Sequence, residues 1–300
     1  MAGRSAATWA VLAAAALFGT SATALALLAP GAPGPSVAAD RLLVGAAGLV
    51  AVVLLRHGSA DLLRIWRRPS AWLMGACIAG YQAFFFMGTA RAGVAVGTLI
   101  ALGAAPLLAG ILGWVVREGA PGWVWVVSTL IAIVGLTLVA WTSLDVAEPV
   151  GLLYALAAAA CYATYTVIGV RLAREGLPAS SVLAATFAIG AVVLLPAAVT
   201  SSWWMSAQGV VAVLWLGLGA TTAAYLLFGV GLRWLQPGQI STLTLLEPVV
   251  ATLLGVLVVG EQLGILGWVG TLLVLAALGL LGIVDGRRRS STVTTVRTSA

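Results

Sequence analysis

Residues 176–232 carry no charged side chain. A soluble fold cannot be built from such a stretch, because it would expose apolar patches far larger than a soluble surface tolerates. Charge is scarce in the rest of the chain as well: 62% of the residues are hydrophobic and 8% are charged, against about 25% charged in ordinary soluble domains. Lipid is the solvent that removes the conflict. In lipid every backbone N–H and C=O must be paired within the protein, which leaves helices and closed barrels. The apolar runs lack the period-two alternation of barrel strands, so the sequence reads as an all-α membrane protein.

A helix needs about 20 apolar residues to cross the hydrocarbon. Runs of that kind fall at 9–29, 36–55, 71–90, 94–116, 121–142, 150–170, 179–199, 209–231, 238–259 and 264–284, which predicts ten transmembrane helices. The uncharged stretch is divided by Thr-Ser-Ser-Trp-Trp at 200–204. Pro69, Pro121, Pro149, Pro178 and Pro237 each stand just before a span, where a missing N–H is tolerated. Trp9, Trp72, Trp123, Trp141, Trp203, Trp204 and Trp268 lie near span ends, as in interfacial belts. The first run is longer than a signal-peptide core and is followed by many others, so it reads as a span.

All 15 basic residues are arginine, and they sit singly or in short groups between apolar runs. That distribution signals membrane orientation rather than a nucleic-acid surface. With the N-terminus inside and ten spans, only Arg41 and Arg91 fall outside, so both termini are expected in the cytoplasm. Residues 60–68 are expected to form a short interfacial helix with Leu62, Leu63, Ile65 and Trp66 towards the bilayer, and 287–300 a disordered cytoplasmic tail. Cys77 and Cys161 lie far apart in apolar runs, which suggests neither a disulfide framework nor a metal site. His57 is the single histidine, and Gly217 with Gly219 is too weak a signal for a nucleotide site. No clustered acids, base-paired nucleophile, metal site or cofactor site is legible, which argues against an enzyme.

An internal repeat organises the chain. Residues 13–20 read Ala-Ala-Ala-Ala-Leu-Phe-Gly-Thr, and residues 157–164, displaced by 144, read Ala-Ala-Ala-Ala-Cys-Tyr-Ala-Thr. Arg91 and Arg233 are displaced by 142, as are Pro106 and Pro248, and Glu118 and Glu261 by 143. Two units at 1–142 and 149–286 follow. Five spans per unit is an odd number, so the second unit must enter the membrane from the opposite side. Inverted repeats of this kind place the substrate near mid-membrane between the halves. Pro106 and Pro248 fall midway along the fourth and ninth spans, where each frees the carbonyl four residues earlier, Leu102 and Thr244. Such breaks persist beside a cavity or where another group pairs the backbone.

Leu246, Glu247, Pro248 and Val249, then Ala251, Leu254, Gly255, Gly260 and Glu261, followed by Gly267, Gly270 and Gly279, form a pattern that resembles the C-terminal signature of the EamA family in the drug/metabolite transporter superfamily. Residues 225–233, Tyr-Leu-Leu-Phe-Gly-Val-Gly-Leu-Arg, are similar to that family's eighth helix. The resemblance spans nearly the whole chain as two units. It implies a ten-helix carrier of small metabolites in the cytoplasmic membrane, with a cavity built from helices 1, 3, 4, 6, 8 and 9. The halves differ: Ala105 stands where symmetry would put a counterpart of Glu247. Carriers of phosphorylated sugars use basic residues inside the membrane, and Arg41 is the one candidate here.

Glu247 is the sharpest single residue. It lies about ten residues, or roughly 15 Å, into its span, where an ionised carboxylate must be protonated, paired or turned to water. That makes it a candidate proton carrier or cation contact, with a helix-anchoring hydrogen bond as the alternative. Asp40 and Arg41, at the outer end of the second span, read as an interfacial pair, with reach into the outer vestibule as the alternative. Tyr81, Gln82 and Phe85 share the third span, Thr98 begins the fourth, and Tyr162 and Tyr165 share one face of the sixth. Thr221, Thr222 and Tyr225 mark the eighth, and Ser241, Thr242 and Thr244 the ninth. These residues can contact a substrate or join helices to one another. The expectation is a secondary transporter for an amino acid or related amphipathic metabolite, with efflux as its direction and protons as a candidate coupling ion. A lipid flippase or passive channel of the same architecture is the alternative.

Overall fold

The computed structural model describes residues 2–141, 148–260 and 262–297, with side chains described as far as Leu281. Helix accounts for 87% of it, and no strand occurs among the described residues. The elements follow the apolar runs: α1 (Ala2–Leu28), α2 (Gly34–His57), α3 (Ala60–Trp66), α4 (Pro69–Ala92), α5 (Val94–Val115), α6 (Trp123–Val139), α7 (Pro149–Arg174) and α8 (Ala179–Val199). After a 3₁₀ turn at Trp203–Met205 come α9 (Ala207–Trp234), α10 (Pro237–Val259) and α11 (Ile265–Arg297). Eight helices are long and apolar enough to cross a membrane; α6 and the apolar part of α11, Ile265–Leu281, are shorter apolar helices. Leu55, Val193, Leu257 and Leu272 stand exposed on the outside, a surface that only lipid solvates without penalty.

Helices of the first half find their partners in the second. The first helix, α1, packs on α9 and α10, while α7, which opens the second half, packs on α4 and α5. The pairs α2–α8, α5–α10 and α6–α11 join like-placed helices, and α4–α8 mirrors α2–α9. The largest fully buried side chains, Tyr165, Phe187 and Phe228, lie together in a core cluster that draws on helices of both halves.

Two local expectations change. Leu62 and Ile65 of α3 are buried against α8 instead of facing the bilayer, while Leu63 and Trp66 stay exposed, the Trp66 indole donating to the Ala185 carbonyl at 3.0 Å. The α11 backbone stays helical to Arg297, where the sequence pointed to a disordered tail; residues 298–300 lie outside the described residues. Glu261, the repeat mate of Glu118, also lies outside them.

Candidate functional site

The centre of the molecule is set by a break in α10. Pro248 has no N–H, so the Thr244 carbonyl loses its helical donor. The chain tightens there: Leu245 donates to Thr242 at 3.1 Å and Glu247 donates to Thr244 at 2.9 Å, both three-residue bonds. Regular helix stops at Leu243 and restarts at Leu246. Glu247 therefore stands in the first turn of a new helical segment, where the dipole favours a carboxylate. Its side chain is half-buried and makes no hydrogen bond or ion pair with any described residue. In α5 the helix runs unbroken through the buried Pro106, so the repeat-related prolines behave differently.

An aromatic cluster is tied to this turn. From α7, Tyr162 and Tyr165 lie 4.9 Å apart between centroids, and Tyr81 of α4 meets them edge-on at 5.7 and 6.3 Å. Phe85 stands 5.8 Å from Tyr81. Tyr225 of α9 packs on Phe187 of α8 at 4.3 Å, on Phe18 of α1 at 5.0 Å and on Phe228 at 5.5 Å. The Tyr165 and Tyr225 hydroxyls are 3.4 Å apart and join the two groups. Thr244 donates its hydroxyl proton to the Ser241 carbonyl at 2.8 Å, so the Tyr162 hydroxyl, 2.9 Å away, acts as donor to Thr244. The ring cluster is thus tethered to the residue that borders the break.

Tyr225 stands two residues beyond the end of a π-helical stretch, Trp215–Ala223, a distortion frequent at functional sites. Thr221 and Thr222 stabilise it from within, donating to the Leu216 and Gly217 carbonyls at 2.8 and 3.0 Å; Thr222 also reaches the Gly45 carbonyl of α2 at 3.0 Å.

Asp40 and Arg41 part company. Asp40 is 6% exposed, and its Oδ2 accepts from Ser201 Oγ at 2.6 Å and Trp203 Nε1 at 2.7 Å, so it holds the α8–α9 connection to α2. Arg41 is half-buried, and its Nε is buried without an acceptor among the described residues. The interfacial pair expected from the sequence is not formed. A polar cavity of about 410 Å³ elsewhere, beside Arg174, Gly176 and Arg233, lies at the helix ends, away from these rings.

The model of the EamA-like transporter family matches residues 149–283. The uncharacterized transporter YwfM of Bacillus subtilis (strain 168) is 37% identical over 286 residues, covering 94% of this chain and 95% of that protein. The chain belongs to the EamA-like transporter family. A chain solved by crystallography shares the fold with a TM-score of 0.80 at 24% identity, covering 94% of this chain and 98% of its own. This EamA-like chain is accordingly a multi-pass membrane transporter. The family match falls on the half that carries Glu247 and the broken α10.

Within this EamA-like fold, Tyr81, Phe85, Tyr162, Tyr165 and Tyr225 form one ring cluster, tied to the broken turn through Tyr162 and Thr244. Gln82 is buried on α4 and Thr98 half-buried at the start of α5, outside the ring contacts. Thr242 is occupied: it donates to the Gly238 carbonyl at 2.9 Å and accepts from Thr129 of α6 at 3.0 Å, which makes it a joint between helices. Thr221 likewise serves its own helix. Sequence reasoning missed Phe18, although the repeat carried the signal, since Phe18 is the mate of Tyr162. It missed Phe187, a lone aromatic in an aliphatic helix with no such signal. Cys77 and Cys161, distant in sequence, lie on packed helices, α4 and α7: Cys161 Sγ stands 3.1 Å from where a Cβ on Gly80 of α4 would be.

Proposed function

We propose that this chain is a secondary transporter that moves a small metabolite, an amino acid or related amphipathic compound, outward across the cytoplasmic membrane by alternating access. The observation that carries the reading is Glu247 in the broken turn of α10, bordered by tyrosines from α4, α7 and α9. A membrane-embedded acid with no fixed partner suits a group that takes up a proton or a cationic cargo in turn.

The body of the transporter is ten spans in two inverted five-helix repeats. The exchange of partners between halves supports this: α1 relates to α9 and α10 as α7 relates to α4 and α5. The shorter α6, at 17 residues, reaches about 26 Å, close to the hydrocarbon thickness of about 30 Å. The termini are cytoplasmic. In that orientation the ion pairs Arg68–Glu175 and Glu118–Arg174 belong to the inner end, and Arg91–Glu148 to the outer. Rocking of one half on the other then exposes the Glu247 region to each side.

The test is flux in proteoliposomes under an imposed pH gradient, wild type against Glu247→Gln. The expected result is gradient-driven accumulation in the wild type and none in the variant. Equal accumulation in both removes the proton role. Flux without acceleration by cargo on the opposite side points to a channel instead.

A further inference from the structure

The break in α10 separates two arms that differ in access. From Pro237 to Leu245 every residue except Gln239 is buried, whereas from Leu246 to Leu254 only Val249 is. Glu247, in the first turn of the second arm, is half-buried. Acids inside a membrane face the bundle interior or a water-filled cavity, so the exposed part of Glu247 faces water. The sealed first arm leaves the opposite end as the way in, which is the outer end when the termini are cytoplasmic.

Trp125 of α6 seals the first arm. Its indole is 6% exposed and lies between two glycines, one from each half. A Cβ on Gly110 of α5 would stand 2.3 Å from Trp125 Cη2, and a Cβ on Gly238 of α10 would stand 2.9 Å from its Cε2. Side chains do not approach so closely, so the seat exists only because both positions are glycine. Towards the centre, Thr129 meets Thr242 at 3.0 Å. Towards the helix ends, Arg174 donates to the Glu118 carboxylate at 2.9 Å and to the Leu235 carbonyl at 3.4 Å. The seat nevertheless leaves the ring unsatisfied. A buried tryptophan N–H usually finds a partner, yet Trp125 Nε1 is buried without an acceptor among the described residues. A buried donor left unpaired is destabilising, and leaving the seat returns it to water.

The repeat points the same way. Trp125, Val126 and Ser128 are displaced by 143 from Trp268, Val269 and Thr271. Trp268, near the start of α11, is 41% exposed. One tryptophan is seated and its mate is free, as inverted repeats require when a transporter is closed on one side and open on the other.

We infer that Trp125 is the gate of the inner side and that the structure is the outward-open conformation. The indole wedged between Gly110 and Gly238 holds the first arm of α10 shut, and its withdrawal opens a path from the inner side to the broken turn. The inference rests on the alternating-access reading and names the gate that reading requires.

The experiment uses full-length purified protein in detergent, with Cys77→Ser and Cys161→Ser and one reporter cysteine at a time. Ser241→Cys reports on the first arm, one turn beyond Gly238. Ala251→Cys reports on the second, one turn beyond Glu247. The rate of modification by a cationic, water-soluble methanethiosulfonate reads the access of water to each. Ala251→Cys is expected to react faster than Ser241→Cys by about tenfold or more, as a conformation open on one side requires. Trp125→Ala is expected to speed Ser241→Cys by about tenfold and to slow Ala251→Cys by about half or more, since the two conformations share one population. Gly238→Ala, whose methyl displaces the indole, should act in the same direction; it serves where Trp125→Ala does not run as one species on size exclusion. Trp268→Ala, the same loss at the free mate, should change neither rate. Faster Ser241→Cys without slower Ala251→Cys would show that Trp125 only fills space, and overturns the gate. No change in either rate overturns it too, as does an equal effect of Trp268→Ala. Equal rates for the two reporters before any gate substitution overturn the outward-open assignment. Flux is measured separately. Transport without the reciprocal shift removes the gate and keeps the transport reading. The reciprocal shift in a protein that moves nothing from a broad metabolite panel keeps the gate and removes the transport reading.

Discussion

The backbone N–H of Glu247 donates to the Thr244 carbonyl at 2.9 Å, the carbonyl that Pro248 leaves without its helical donor. Sequence, backbone and site meet in this one bond. The proline creates the vacancy, a tightened turn fills it, and the residue that fills it is the acid the site is built around. Thr244 also holds Tyr162 at 2.9 Å, so the same turn orients the ring cluster.

Pro248→Ala returns an N–H to position 248 and lets the Thr244 carbonyl rejoin a regular helix. The expected outcome is an unchanged or higher melting temperature with transport slowed by about tenfold or more, equivalent to about 1.4 kcal/mol on the cycle. Initial rates in proteoliposomes and a thermal melt on the same preparation check it. Wild-type rates with a raised melting temperature would show that the break does not matter to transport.

The coupling between Tyr162 and Thr244 can be isolated by a double-mutant cycle of Tyr162→Phe and Thr244→Val. Both hydroxyls are buried, so an interaction energy of about 0.5–1.5 kcal/mol is expected. Strictly additive melting shifts would mean that the bond contributes nothing net.

Gly19 of α1 lies where a Cβ would stand 2.7 Å from the Glu247 carbonyl oxygen and 2.7 Å from Val250 Cβ. The obstacle is partly backbone, so the helices must separate. Gly19→Ala is expected to destabilise by roughly 1–3 kcal/mol and to slow transport by moving α1 off the broken turn. Gly279→Ala, with nothing within 4 Å of the added Cβ, is the control and should stay within about 0.5 kcal/mol of wild type. Equal melting of the two variants would contradict the close fit.

Most helix positions were legible because the span requirement is blunt: a run of apolar residues is visible without any partner. The repeat was legible for the same reason, and it placed Pro106 and Pro248 as mates. It could not reveal that α10 breaks and α5 does not, since both prolines have the same local chemistry and only the packing around them differs. The tyrosines were found because aromatic hydroxyls stand out among aliphatic neighbours. Asp40 and Arg41 looked like a pair because adjacent opposite charges suggest one, whereas successive helical positions point about 100° apart, and Asp40 is taken by the α8–α9 connection. Thr242 looked like a ligand and proved to be a joint to Thr129, a distinction that depends on a helix more than a hundred residues away.

Asp40 accepts both of its bonds on one oxygen, from Ser201 and Trp203. Asp40→Ala leaves two buried donors unmet and is expected to lower stability by roughly 1.5–3 kcal/mol, with faster proteolysis in the connection between α8 and α9. Asp40→Asn keeps an acceptor oxygen without the charge and should lose less. Thermal melting together with limited proteolysis checks it; Asp40→Ala that resists protease like the wild type would show that the connection is held by other contacts.

Cys77 of α4 and Cys161 of α7 offer a direct test of how the halves meet. Both are half-buried, and Cys161 Sγ lies 3.1 Å from where a Cβ would stand on Gly80, about one turn along α4 from Cys77, although the sequence separates them widely. Mild oxidation by copper phenanthroline should remove two electrons and two protons from the pair and link α4 to α7. A protease site introduced between residues 142 and 147 makes the link visible. After cleavage the halves should migrate together on a non-reducing gel, separate on addition of dithiothreitol, and separate without it in Cys161→Ser. Both α4 and α7 carry tyrosines of the central cluster, so the linked protein should also transport more slowly and recover on reduction. Halves that part after oxidation of the wild type would contradict the α4–α7 packing, and with it the arrangement of Tyr81 against Tyr162.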